Sequence, residues 1–238
     1  CVMQFHRRWY LPKVISFDLD DTLYDNVPVM QRAEKAVHNY ITEQFPQTAE
    51  WDMHHWRRFR DEVSRTDQAL ASDMTKLRLK TLELGLKKFG IGDVSKAANT
   101  IMDVFLSERS NFQVPYNSFE LLEALSQHYK LIALSNGNVD AGKIGLAKYF
   151  DQVIQPGDGI RGKPLPDMFA AAQRELPNLQ PHEFLHVGDH PYSDVLGAQR
   201  HGWQSAWLTS GLGTSEHLSV LPTVTLHNLS QLQQLLLD

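Results

Sequence analysis

Short apolar runs alternating with helix-like stretches dominate the second half of this chain. From Ser118 the order is helix (SFELLEALSQHY), strand (KLIALS, from Lys130), helix (AGKIGLAKYF, from Ala141), strand (DQVIQ, from Asp151) and helix (LPDMFAAAQREL, from Leu165). EFLHV (from Glu183) then reads as a strand, SDVLGAQRHG as a helix ended by Gly202, WQSAWLT as a strand and TVTLH as a weak strand, before a closing helix from Leu229. One more run of the same kind, Val14-Ile15-Ser16-Phe17, stands near the N-terminus. Runs with so little polar alternation suit strands covered on both faces, and strands separated by helices pair in parallel. The expectation is an α/β fold on a doubly wound parallel sheet.

Between the first strand and the rest lies a different texture. In VPVMQRAEKAVHNYITEQF, the residues Val29, Met30, Ala33, Val37, Tyr40, Ile41 and Phe45 recur at three- and four-residue steps, the stripe of an amphipathic helix. Helical segments follow at 51–65, 75–89 and 95–109 with no strand among them. This predicts an α/β core of residues 1–26 and 113–238, interrupted by an all-α insertion, 27–112, of domain size. An insertion directly after an acidic loop has the place of a lid. The aromatic and basic stretch WDMHHWRRFR within it reads as a helix face of Trp51, His55, Phe59 and Val63 rather than a nucleic-acid surface.

The chain has 238 residues, 42% hydrophobic and 21% charged, enough for a substantial core. A net charge of -5 offers no global basic field for nucleic acid or anionic membrane, and no apolar run nears the roughly 20 residues of a membrane span. Neither partner is expected, and a cytoplasmic protein is. Cys1 is the only cysteine, which excludes an intramolecular disulfide and a multi-cysteine zinc site. Met3 suggests that Cys1 and Val2 precede the natural start.

Ligands of parallel sheets gather beyond the carboxyl ends of the strands. After Val14–Phe17 come Asp18, Asp20, Asp21 and Thr22; after KLIAL come Ser135 and Asn136; past DQVIQ comes Lys163; after EFLHV come Asp189 and Asp194. Each has an ordinary alternative: a turn or cap for Asp18, Asp20, Asp189 and Asp194, a local turn for Ser135 and Asn136, and a solvated surface for Lys163. Acid, hydroxyl, lysine and acid delivered to one sheet edge instead suit phosphoryl transfer. A carboxylate can attack phosphorus, a second can carry protons, and a divalent cation with an ammonium can neutralise phosphate oxygens. Asp21 reads as a turn residue and Thr22 as a brace for the loop. The histidines, His54, His55, His186 and His190 among them, lack ligand spacing for a transition metal.

The segments DLDDTL (18–23), SNG (135–137), GKP (162–164) and GDHPYSD (188–194) resemble, in order, the four motifs of the haloacid dehalogenase-like (HAD) hydrolases, and the insertion sits where that family's helical C1-type cap sits. The resemblance implies Asp18 as nucleophile forming an aspartyl-phosphate, and Asp20 as acid and base. It implies Ser135, Asn136 and Lys163 as phosphate contacts. Mg2+ would be held by Asp18, the Asp20 carbonyl and Asp189, with Asp194 placing metal-bound water or Lys163. Arg78 in the insertion could touch substrate, or be a solvated arginine. The implied activity is a magnesium-dependent phosphatase of a small phosphomonoester, as a monomer or weak homodimer. Dehalogenases of this fold have no need of a proton carrier at Asp20. FDLDDTLYDN, LIALSNGN, GKPLPDMF and LHVGDHPYSDV look most like bacterial phosphatases of flavin mononucleotide and of 5-amino-6-(5-phospho-D-ribitylamino)uracil. The alternatives are a sugar phosphate phosphatase, a phosphomutase of the same fold, or a non-catalytic phosphate-binding or receiver-like module.

Overall fold

The computed structural model describes residues 2–238, so Cys1 lies outside the described residues. They form two compact units, one of residues 2–26, 113–137 and 141–238, the other of 27–112 with Asn138–Asp140. Asn138–Asp140, read from sequence as core, belong to the helical unit. There Asn138 Nδ2 donates to Thr75 Oγ1 at 3.2 Å and the Asp140 N–H to Ser110 Oγ at 2.9 Å.

The first unit carries a mixed sheet of β1 (Gln4–Phe5), β2 (Val14–Phe17), β3 (Lys130–Leu134), β4 (Gln152–Ile154), β5 (Phe184–Gly188), β6 (Gln204–Leu208) and β7 (Val224–Leu226). Its order is β1-β7-β6-β5-β2-β3-β4, parallel throughout except for the β1–β7 pair. The direction of winding reverses at β2, which pairs with β3 on one side and β5 on the other. Phe17 stands opposite both Ala133 and Val187, so the carboxyl ends of the three central strands lie level. A crevice at such a reversal is where ligands of doubly wound sheets bind.

Every residue of β2 is buried, as the unbroken VISF run requires. Val14, Ile132, Leu134, Phe184 and Trp203 pack with Met168, Phe169 and Ala172 of the helix Asp167–Arg174. The stretch 141–150, expected as a helix, instead forms turns and a single 3-10 turn at Ala147–Tyr149. Gly145 takes a φ of +80° and the N–H groups of Leu146 and Ala147 both return to the Ala141 carbonyl, which breaks any helical ladder. The helix expected from Ser193 begins as a π-type turn, Pro191–Leu196, before a short α-helix, Gly197–Arg200. Gly202, with φ of +80°, ends it. The antiparallel edge strand β1 was not expected, because two residues show no periodicity.

The helical unit contains α1 (Val27–Gln44), α2 (Met53–Thr66), α3 (Gln68–Ala71), α4 (Met74–Lys88) and α5 (Val94–Arg109). α1 and α4 both pack on α5, and α2 packs on α4. Ile41, Leu82, Leu86, Ala98 and Ile101 form its buried centre. Asp52, Asp67, Asp73 and Asp93 each accept a backbone N–H at a helix start, satisfying donors the helix cannot. Trp51 stacks on His55 with ring centroids 4.3 Å apart and also meets Trp56, Phe59 and Phe89. No helix among the described residues is long and apolar enough to cross a membrane.

Candidate active site

The level ends of β2 and β5 hold Asp18 and Asp189, each one residue past its strand, and the π-type turn brings Asp194 back beneath them. Ligand oxygens of Asp18, Asp189 and Asp194 lie within 4.8 Å of one another, and all three residues are buried. Lys163, also buried, enters from the loop after β4 and donates from Nζ to Asp18 Oδ1 at 3.1 Å and to Asp194 Oδ1 at 2.6 Å. One ammonium thus touches two of the three carboxylates.

The electrostatics follow from that imbalance. Burial pushes the Asp18 carboxyl well above its usual range, aided by Asp194 and opposed by Lys163. Asp189 is pushed up to about 7, first by burial and then by Asp194. Burial works the same way on Asp194, but Lys163 and His186 overcome it and hold that carboxyl well below the usual range. Lys163 is raised, because Asp18 and Asp194 outweigh its burial. A compact set of hard oxygen donors with excess negative charge fits a divalent cation such as Mg2+.

The other expected residues fall as follows. Asp20 Oδ1 accepts from Tyr24 Oη at 2.6 Å. Asp21 adopts a left-handed φ of 60° and accepts the Asn26 N–H at 2.9 Å, a turn residue's geometry. Thr22 Oγ1 lies 3.4 Å from Asp18 Oδ2 and 3.3 Å from Asp189 Oδ1, so its single proton can serve only one carboxylate at a time. Ser135 is fully buried and its Oγ accepts the Gly137 N–H at 3.1 Å. The Asn136 amide exchanges two hydrogen bonds with the Lys163 backbone, at 2.7 and 2.8 Å. Asn136 therefore fixes the lysine's loop. Arg78 sits in the helical unit, buried over the Phe105 ring at 3.9 Å and paired with Glu34 at 2.7 Å, beside a cavity of about 50 Å³ also lined by His38, Trp56 and Arg60. It is not a solvated arginine.

Sequence reasoning missed the loop after β6. Trp207 Nε1 donates to the Asp189 carbonyl at 3.0 Å and the Leu212 N–H to Asp189 Oδ2 at 3.4 Å. A Cβ on Gly211 would stand 2.2 Å from Asp189 Cβ and 2.5 Å from its Oδ2. Gly211→Ala should therefore displace the carboxylate and slow turnover roughly 10-fold or more while the protein still folds. Steady-state phosphate release as a function of Mg2+ concentration checks this, and parental kinetics would refute it. The "SGLG" segment, with two glycines just past a strand, was the available signal.

The haloacid dehalogenase-like hydrolase family matches residues 12–202. The chain belongs to that family. This hydrolase is 33% identical over 208 residues to the 5-amino-6-(5-phospho-D-ribitylamino)uracil phosphatase YigB of Escherichia coli (strain K12), covering 87% of each chain. It is 25% identical over 206 residues to a glyceraldehyde 3-phosphate phosphatase of Methanopyrus kandleri, covering 84% of each. Among solved structures, a 2-haloacid dehalogenase from Pseudomonas syringae pv. Tomato DC3000 superposes with a TM-score of 0.85 at 32% identity, covering 94% of this chain and 98% of that one. With phosphatases among its relatives, this hydrolase is a phosphatase of the family.

Proposed function

We propose that this enzyme is a magnesium-dependent phosphatase of a small phosphomonoester, with flavin mononucleotide and 5-amino-6-(5-phospho-D-ribitylamino)uracil as its preferred substrates. The observation that carries the reading is the convergence of Asp18, Asp189, Asp194 and Lys163 on one buried cluster, with Asp20 two residues from Asp18. An Asp18 carboxylate oxygen attacks phosphorus, and the bond from phosphorus to the ester oxygen breaks as Asp20 gives that oxygen its proton. Water then attacks the aspartyl-phosphate, Asp20 takes back a proton, and Asp18 is released with inorganic phosphate. Lys163 and Ser135 hold the phosphoryl oxygens through both steps. Mg2+, held by Asp18, the Asp20 carbonyl and Asp189, would neutralise developing charge on those oxygens, with Asp194 placing its water or Lys163. The helical unit is assigned the part of a cap, with Arg78 as a candidate for substrate recognition.

The likeness to a 2-haloacid dehalogenase brings a second reaction into question. Carbon–halogen cleavage by an attacking carboxylate releases halide, which needs no proton, so the acid half of the role given to Asp20, held by Tyr24, would have no task there. The choice of the ribitylaminouracil phosphate rests on the YigB likeness, and that of flavin mononucleotide on the resemblance of the four motif segments alone. A panel of flavin mononucleotide, the ribitylaminouracil phosphate, phosphoserine, glyceraldehyde 3-phosphate and 2-chloropropionate, with Mg2+ or a chelator, tests both points. Phosphate release that depends on Mg2+ and is highest in kcat/KM for the first two is expected. Preference for phosphoserine or glyceraldehyde 3-phosphate would overturn the substrate, and chloride release would overturn the reaction.

A further inference from the structure

His186 is a fully buried titratable side chain with no part in the steps above. It lies on β5 directly across from Ser16 of β2, two residues before Asp18. Ser16 Oγ and His186 Nδ1 are 2.7 Å apart, and His186 Nε2 is 2.7 Å from Asp194 Oδ1. An ionised carboxylate only accepts, so the proton between them is on Nε2. The same Asp194 oxygen accepts from Lys163 Nζ at 2.6 Å, while Asp194 Oδ2 accepts the His190 N–H at 3.0 Å. Phe169 closes on the imidazole edge-to-face, with ring centroids 5.5 Å apart. Gly188 leaves room for the carboxylate, since a Cβ there would lie 2.2 Å from Asp194 Cγ.

We propose that His186 is a positioning residue for the phosphatase reaction: its Nε2–H fixes the Asp194 oxygen that aims Lys163 at Asp18, and Ser16 fixes the ring. Without that donor, Asp194 retains Lys163 and one backbone N–H but loses the bond that sets the rotation of its carboxylate. Lys163 then swings with it, and a misplaced ammonium at the nucleophile slows chemistry more than it weakens substrate binding. The inference rests on the roles assigned to Asp18 and Lys163 under the proposed function.

The test compares His186→Leu, which keeps bulk and removes the donor, with His186→Gln, which keeps an amide N–H pointed the same way, and with Ser16→Ala. For His186→Leu, kcat for phosphate release should fall roughly 10–100-fold with KM within about threefold, and His186→Gln should recover most of the loss. Ser16→Ala should fall between parent and His186→Leu. A His186→Leu rate within about threefold of the parent, or equal losses in Leu and Gln, would overturn the proposal, the latter by reducing His186 to packing. Should His186→Leu fail to fold, Ser16→Ala decides: a lowered kcat with unchanged KM upholds the proposal, and parental kinetics overturns it. Absence of phosphate release from the parent protein, or its survival in Asp18→Asn, would instead count against the functional reading itself.

Discussion

Asp18→Asn should abolish phosphate release, lowering kcat by at least about 10⁴-fold, the scale seen when a covalent nucleophile is removed from machinery that otherwise remains. Single-turnover trapping should find no phosphorylated protein. The same change should make the metal-free protein more stable. Burial and Asp194 raise the Asp18 carboxyl well above its usual 3.8, so the stability of its neutral form is complete below that value and is lost as pH rises through the folded-state value. An asparagine never ionises and escapes the loss. In a chelator, calorimetry should show Asp18→Asn melting at least about 2 °C above the parent, about 1 kcal/mol for a chain of this size, with a wider gap at pH 8 than at pH 5. Equal melting temperatures at both pH values would mean that carboxylate repulsion is relieved by some route other than a cation. A site built against its own stability is a common mark of function.

Lys163→Met should also lose activity, but with the opposite effect on stability. Its ammonium touches both Asp18 and Asp194, and all three groups are buried. Removing one partner from a buried ion pair leaves uncompensated charge and typically costs about 3–5 kcal/mol. Denaturant unfolding should show that loss at neutral pH and a smaller one at pH 4, where carboxylates can take up protons. Activity should fall by about 10²–10³-fold through loss of phosphoryl charge balance. A fully stable Lys163→Met that is merely slow would indicate that the loop carrying the lysine, and not its charge, holds the cluster together.

The core strands were legible because burial on both faces leaves a continuous apolar signature, as in VISF and KLIAL. The helix expected at 141–150 failed where backbone conformation overrode side-chain pattern: Ala141 and Ile144, and Leu146 and Phe150, have helical spacing, but Gly145 turns left-handed between the two pairs. Strand ends also marked which residues share an edge, since parallel strands deliver their following residues to one side. What spacing could not encode was partnership across the sheet. Asn136 looks like a ligand contact until its amide is found on the Lys163 backbone, and Arg78 looks solvated until it is found over Phe105. His186, similarly, is one of eleven histidines until the register sets it opposite Ser16.

The insertion leaves the α/β unit after Asn26 and the chain rejoins it at Gln113, and there Ser118 Oγ donates to the Leu23 carbonyl within that unit. The insertion's own ends are tied as well, because Arg32 of α1 donates to the Asn111 carbonyl at 3.1 Å. Departure and return are thus each held by a hydrogen bond, one within the α/β unit and one within the insertion. Such a junction fixes the points at which the chain leaves and re-enters the α/β unit without drawing on the interior of the helical one.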